Sequence, residues 1–440
     1  MKSSTLLRYH DVHNGTPILL MKQQSSEVST FHVRKEPLIK ELEDLSLSLY
    51  IVDRCYPQIT RLDFGSAYEP IWKELIPSIE GLVEFLTGRH IIVEVVSERA
   101  QEKTDYQAAI VESHDFDCFR SHGISLFSGG ADSTSGVLRL SRRKEFPFLH
   151  HTLTSNVILG KVKRLHRHDA IAPAPIFLNY MRSMRRMRGV SSLRGFIFLV
   201  NSFVLAQHLG ERKILFPENG PMMLNPQMSS FLAPTKNAHP FLIATLQNIF
   251  RRLVGSDFQI ECIYKNKTKA EAMVDMLPWS IVDLTYSCFQ TQGQNRMCGA
   301  CFACTVRRLS LLALGYDEPP TAYRFDPFSA SSELDLRSDR IKDLHASLLF
   351  LSGLLKGNIH ITDHLQYVPS HFFADPSQMF RNFALDLLVG LRSHLKKYRV
   401  TDYNALGRFA AKLLESMDKK ELDLRSEQLL LLDDQVRGRT

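Results

Sequence analysis

Leu126-Phe127-Ser128-Gly129-Gly130-Ala131-Asp132-Ser133-Thr134 carries the densest chemical information in this chain. The apolar run Ile124 to Phe127 predicts a short buried strand, and Ser133 to Arg143 predicts the helix that follows it. The two glycines between them permit positive φ and let backbone N–H groups approach a ligand with no Cβ in the way. The helix start adds unpaired N–H groups and the positive end of a dipole. Ser128 and Ser133 offer hydroxyl donors. Asp132 is out of place in an anion site unless a magnesium ion bridges it to phosphate. Strand, glycine turn and helix together predict a pyrophosphate cradle; the alternative is a plain Ser/Gly turn capped by Asp132. No Gly-Lys-Ser/Thr follows, so this is not a Walker loop.

The surrounding pattern fits such a cradle. From about 118 to 318, strand-like runs (148–155, 213–216, 258–264) alternate with helix-like ones (192–209, 268–277). Alternation of this kind predicts an α/β fold, a parallel sheet with flanking helices. Residues 1–117 predict a small α+β unit, with strands near 17–22, 29–33 and 90–96 and helices over 37–50 and 70–86; 101–117 predicts a linker. After Pro319-Pro320 the chain predicts a helical region, 319–440. Its clearest helix opens at Asp375-Pro376 and repeats Phe380, Phe383, Leu387, Leu388 and Leu391 on one face. A chain of 440 residues exceeds what one core usually serves, so three units are expected.

Four of the seven cysteines form Cys288-x9-Cys298-x2-Cys301-x2-Cys304. Four thiolates suit tetrahedral zinc, and an iron–sulfur cluster is the other metal reading. Gly299 eases the tight turn between the first close pair, and Arg307 and Arg308 would offset the thiolate charge. A closed four-thiolate site has no open position, so its role would be structural. Seven is an odd number in a long chain, which argues against a disulfide framework. No apolar signal segment opens the chain, and the most apolar stretch, Phe196 to Ala206, is far shorter than the roughly 20 residues of a membrane span. A cytoplasmic location without a membrane partner is expected.

The composition, 44% hydrophobic and 23% charged, is that of a globular protein and excludes wholesale disorder. The net charge of +7 is uneven: Lys161 to Arg194 holds nine cations against Asp169. That segment carries 9 − 1 = +8, leaving the rest near −1. It predicts a local device, either a lid, a docking loop or a solvated face, rather than a nucleic-acid-coating protein. His239 lies before a helix starting near Phe241 and could meet phosphate or substrate, although a lone histidine is more often structural. Glu218 and Asn219 end a strand on the expected ligand edge of the sheet, and Arg194 opens a helix within reach of an α-phosphate.

The string Ser128-Gly129-Gly130-x-Asp132-Ser133 resembles the signature of the PP-loop ATP pyrophosphatases, of the adenine nucleotide alpha hydrolase-like fold. Combined with the downstream cysteines, with Thr285-Tyr286-Ser287-Cys288-Phe289, with Arg307 and with Lys267-Thr268-Lys269-Ala270-Glu271, it resembles the QueC family, the 7-cyano-7-deazaguanine synthases. The resemblance covers about 120–315. The terminal additions, 1–117 and 319–440, together with Pro217-Glu218-Asn219-Gly220 in place of the family's loop, are similar to the QueC-like proteins of bacterial antiphage operons, the QatC type.

The resemblance implies ATP as a substrate, magnesium, and structural zinc on Cys288, Cys298, Cys301 and Cys304. It implies adenylation of a 7-carboxy-7-deazaguanine-like carboxylate with release of pyrophosphate. An amide or nitrile would follow, or transfer of the activated base to a protein amine such as one of an operon-encoded partner. Ser128, Gly129, Gly130, Asp132, Ser133 and Arg194 would bind ATP. Asp132, Ser133, Lys267 and Lys269 would be catalytic. Glu218, Asn219, His239, Asp283 and Tyr286 would line the substrate site, with Tyr286 stacking on the base or simply packing in the core. A tRNA-thiolating or lysidine-type PP-loop enzyme is the competing expectation, with the basic segment on RNA phosphates. A silent nucleotide sensor is a third, which intact Asp132 and Ser133 disfavour.

Overall fold

Branched and aromatic runs become strands. In chain order these are β1 (Leu7–His10), β2 (Pro17–Leu20), β3 (Ser29–Val33), β4 (Arg61–Ser66), β5 (Ile92–Ser97), β6 (Tyr106–Val111), β7 (Ile124–Leu126), β8 (Phe148–Leu153), β9 (Ile176–Tyr180), β10 (Lys213–Asn219) and β11 (Gln259–Tyr264). The helices are α1 (Pro37–Cys55), α2 (Glu69–Thr87), α3 (Ala131–Ser141), α4 (Arg194–Leu209), α5 (Gly220–Leu224), α6 (Pro240–Val254), α7 (Lys269–Met273), α8 (Phe302–Ala313), α9 (Asp339–Leu355), α10 (Pro376–Leu395), α11 (Ala405–Glu415) and α12 (Lys419–Arg437). The structure is a computed structural model. It describes residues 7–10, 17–20, 29–33, 37–97, 106–111, 121–153, 176–180, 192–226, 236–276, 279–288, 296–329 and 339–437, with 162, 164–165, 167–171 and 174.

One sheet organises the molecule, with strand order β11-β10-β7-β8-β9-β6-β3. The pairings from β11 through β10, β7 and β8 to β9 are parallel, and β6 and β3 extend the sheet antiparallel. The α/β class is therefore present, compatible with a Rossmann-like fold. Ile124 and Ser125 are both buried, as a strand covered on both faces requires. The chain leaves β7 for β8 and β9 on one side, then returns to β10 and β11 on the other. The order reverses between β7 and β10, and in open α/β sheets ligands bind at such a reversal, beyond the carboxyl ends of the strands.

Three sequence expectations differ from the structure. The stretch expected as a linker, 101–117, contains β6, and β3 joins the same sheet. The sheet thus takes strands from both sides of the boundary expected at 118. The basic segment 161–194 contains β9. The helix expected over 268–277 is α-helical only to Met273 and tightens into a 3₁₀ turn at Val274–Met276. Arg182, Arg185, Arg186 and Arg188 lie outside the described residues, as do Lys161 and Lys163.

A continuous buried core runs from Ile39 on α1 through the sheet to Leu429 on α12, so the helices after residue 319 pack onto the sheet layer. Helix α10 is central to this: it packs on α8, with Gly390 so close to the Leu309 carbonyl that any Cβ would overlap it. Among the described residues, no helix is long and apolar enough to cross a membrane.

Candidate functional site

The turn after β7 folds as its residues dictate. Gly129 takes φ +72, a conformation costly for any residue with a Cβ. Gly130 then caps α3 from extended backbone without a side-chain hydrogen bond. The two serines knit the turn: the Ser128 and Ser133 hydroxyls lie 3.1 Å apart, and the Gly130 N–H donates to Ser128 Oγ at 3.2 Å. Ser133 Oγ also donates to the Gly130 carbonyl at 3.1 Å. The buried side chains of Val162 and Leu165 stand 3.4 and 3.8 Å from where a Gly129 Cβ would lie, so the start of the basic segment packs over the turn.

Asp132 sits in the first turn of α3 and is the centre of a charged cluster. Lys269 Nζ, nearly buried on α7, pairs with Asp132 Oδ2. Asn219, fully buried at the end of β10, donates from Nδ2 to Asp132 Oδ1 and to Glu218 Oε1, both at 3.1 Å. Its Oδ1 meanwhile caps α5 by accepting from the Met222 N–H. Burial, and then the charge of Asp132, pushes the Glu218 carboxyl up to about 8, while the Lys269 and Arg194 cations oppose that rise. Burial lowers Arg194, whose charge interacts with Tyr50 and Arg54 on α1 and with Glu218. The sequence-predicted residues Ser128, Gly129, Gly130, Asp132, Ser133, Lys269, Glu218, Asn219 and Arg194 therefore gather at one edge, beyond the ends of β7 and β10.

Of the other predicted residues, Tyr286 alone bonds to the turn. Lys267 is lowered by burial and by the Arg139 cation, in a neighbourhood with Asp275, Glu271 and Arg143, so only one of the two lysines reaches Asp132. Asp283 is exposed and accepts a hydrogen bond from Tyr316 Oη at 3.3 Å. His239 is a helix cap: its Nδ1 accepts from the Phe241 N–H at 3.1 Å, and its ring packs on Phe85 with centroids 4.8 Å apart. Tyr286 belongs to the glycine turn by its backbone, donating N–H to the Gly129 carbonyl at 3.1 Å, and its ring packs against the cysteine cluster.

Cys288, Cys298, Cys301 and Cys304 are all buried, with their Sγ atoms within 4.8 Å of one another. The Cys298 and Cys304 sulfurs are 3.8 Å apart. A zinc tetrahedron with bonds of about 2.3 Å has edges of about 3.8 Å, so the spacing fits the ion. The N–H groups of Cys298 and Cys301 point at the sulfurs of Cys288 and Cys298, at 3.4 and 3.3 Å. Gly299 takes φ +80 and lies against the Phe325 backbone. The cluster can hold a metal ion such as zinc. Arg307 is fully buried and donates to both Glu318 Oε1 and Thr285 Oγ1, which ties the segment before Cys288 to α8 and leaves its charge near enough to act on the Cys304 thiol.

The sequence reading missed His151. Within β8 it is buried, and its Nδ1–H donates to the Phe127 carbonyl immediately before Ser128. Its signal was the His150-His151 pair inside an otherwise apolar strand. Burial pushes both His151 and His239 down to about 4. Above pH 6.5 both rings are neutral whether the chain is folded or unfolded. As pH falls from 6.5 toward 4, the unfolded chain takes up protons that the folded chain refuses, so stability is lost. Full expression of one such shift is worth roughly 3 kcal/mol. His151→Gln is therefore expected to flatten the fall in melting temperature between pH 7 and pH 4.5. An unchanged slope by calorimetry would contradict this.

No protein-family model matches the chain, and no curated protein matches it.

Proposed function

We propose that this protein is an ATP-dependent ligase of PP-loop type that adenylates the carboxylate of a 7-deazapurine such as 7-carboxy-7-deazaguanine. The single observation that carries the proposal is the placement of Asp132. It follows a two-glycine turn, at the start of a helix, and is held between Lys269 and Asn219 beside Glu218 at the reversal point of the sheet.

In this reading the N–H groups of the turn and the Ser128 and Ser133 hydroxyls hold the leaving pyrophosphate. Lys269 is placed to offset negative charge as it moves onto that group. Asp132 and Glu218, two carboxylates sharing one amide donor in a buried site, form a donor set suited to magnesium. When bound, magnesium would supply Lewis-acid stabilisation of the phosphates. Arg194 would meet the α-phosphate. The cysteine cluster, with zinc, would fix Tyr286 as a wall beside the turn. The choice of a deazapurine rests on the likeness of 285–307 to the QueC family. The final product would be an amide, a nitrile or a protein conjugate, in the setting of antiphage defence.

The tRNA-thiolating alternative needs a free reactive cysteine. Four of the cysteines converge on one point, and burial pushes the Cys262 thiol up to about 12. Incubation with Mg–ATP, ammonia and 7-carboxy-7-deazaguanine is expected to release AMP and pyrophosphate only when the acceptor is present, with a matching mass change in the base. AMP release with tRNA but not with the base would instead establish the RNA reading. No AMP with the base overturns the proposal.

A further inference from the structure

Helix α7 has five residues, too short to hold its own position. It carries Lys269, whose ammonium must meet Asp132 inside the protein. What fixes α7 is a ring of four side chains drawn from three helical segments. Thr268 and Glu271 form a reciprocal capping box at its start. Each also bonds outward. Thr268 Oγ1 donates to Asp386 Oδ2 on α10. Arg425 on α12 donates from Nε to Asp386 Oδ1 at 2.7 Å and from Nη2 to Glu271 Oε1 at 2.6 Å. Asp386 is fully buried, and Arg425 is 5% exposed.

A buried ion pair is a poor way to gain stability, because removing two charges from water costs about as much as their attraction returns. Its geometry is another matter. The planar guanidinium spans two acceptors at fixed angles, which no apolar contact can do. The same helix α10 also backs the other partner of Asp132. Met379 packs so tightly on Gly220, the residue after Asn219, that a Cβ there would overlap its sulfur. In addition, the Ala374 N–H, just before α10, donates to Asn266 Oδ1 at 2.8 Å, close to the α7 start.

We propose that Asp386 and Arg425 are positioning residues that set α7 so that Lys269 engages Asp132, making the helical region after residue 319 part of the reaction machinery. The inference deepens the adenylation reading and rests on it for its effect on turnover, but the placement of Lys269 is testable without any activity.

The test uses the full chain. Asp386→Asn and the charge-conserving Arg425→Lys, which cannot span Asp386 and Glu271 together, are compared with the parent. Acetylation by a water-soluble N-hydroxysuccinimide ester is followed by peptide mass spectrometry at Lys269, with exposed Lys73 as internal reference. Lys269 is expected to react about 10-fold faster in either variant while Lys73 is unchanged, reflecting a loosened seat for a buried amine. AMP release with 7-carboxy-7-deazaguanine is expected to fall about 10- to 100-fold in kcat, with the KM for ATP within about twofold, because misplacement of about 1 Å acts on the reacting geometry. Arg425→Ala is expected to regain Lys269 protection when guanidinium chloride is added at about 50 mM. If Asp386→Asn does not fold, Arg425→Lys and the guanidinium rescue decide the matter. Unchanged Lys269 labelling in the folded variants overturns the proposal. If the parent releases no AMP, the adenylation reading fails by that result, while the labelling still decides whether the clamp positions Lys269.

Discussion

Replacement of Cys304 by serine is expected to take the chain from one zinc per molecule to less than a tenth of that, and to loosen the surroundings of Cys288 and Cys298 first. The reason lies in the local composition. The buried cluster here comprises Cys288, Met297, Cys298, Cys301, Cys304 and Tyr323, separate from the main core. Four of its six members are the thiols themselves, so a shared cation would be the main tie among Cys288, Cys298, Cys301 and Cys304, while Arg307 and the main core hold α8. Structural zinc in small sites contributes about 10–16 kcal/mol, against a total stability of about 5–15 kcal/mol for a typical protein. Loss of one ligand should therefore lower the melting temperature by many degrees, and a strong chelator should reproduce the effect in the parent. Elemental analysis with calorimetry gives the readout. A colourless metal-loaded protein fits zinc, whereas visible absorbance would identify an iron–sulfur cluster. A parent with four free thiols, no metal and full stability would contradict the expectation.

Asp132→Asn is expected to reduce ATP-dependent AMP release by about 10²–10³-fold while leaving the fold in place. The amide keeps a hydrogen-bonding oxygen toward Asn219 but removes the charge that pairs with Lys269 and that magnesium would need. Lys269→Ala should cost a comparable factor. It should also lower stability, because Asp132 and Glu218 would then share a buried site without their cation. Combining the two substitutions should cost far less than the product of their separate effects, since both act on one pair. Initial rates by chromatographic AMP assay and a melting curve for each variant suffice. Full multiplicativity would show that the two residues act independently.

The sequence disclosed the site where its chemistry is local and hid it where it is not. The glycine turn and the cysteine spacing place their functional atoms within a few residues of each other, and both were legible. Strand β9 was not, because its apolar core, Ile176-Phe177-Leu178, lies in a run dominated by cations. Strand β6 was overlooked because polar residues flank it on both sides. In the sequence His239 stands open between a site role and a structural one, and His239-Pro240 has the pattern of a helix cap followed by proline at the first position. The clamp on α7 joins residues 118 and 154 positions apart, beyond any local pattern. Its trace was a charge where none belongs: Asp386 interrupts Phe383-Ala384-Leu385 and Leu387-Leu388 in the apolar face of α10.

That long-range clamp also sets a clock on biosynthesis. The glycine turn and Asp132 leave the ribosome 425 − 132 = 293 residues before Arg425 does. At about 5–20 residues per second this interval is roughly 15–60 s. Throughout it the nascent chain carries the glycine turn without the part that seats Lys269. A premature stop between α7 and α12 would leave Lys269 without the side chains that seat α7. Helix α12 thus closes the clamp only after everything it positions has been synthesised.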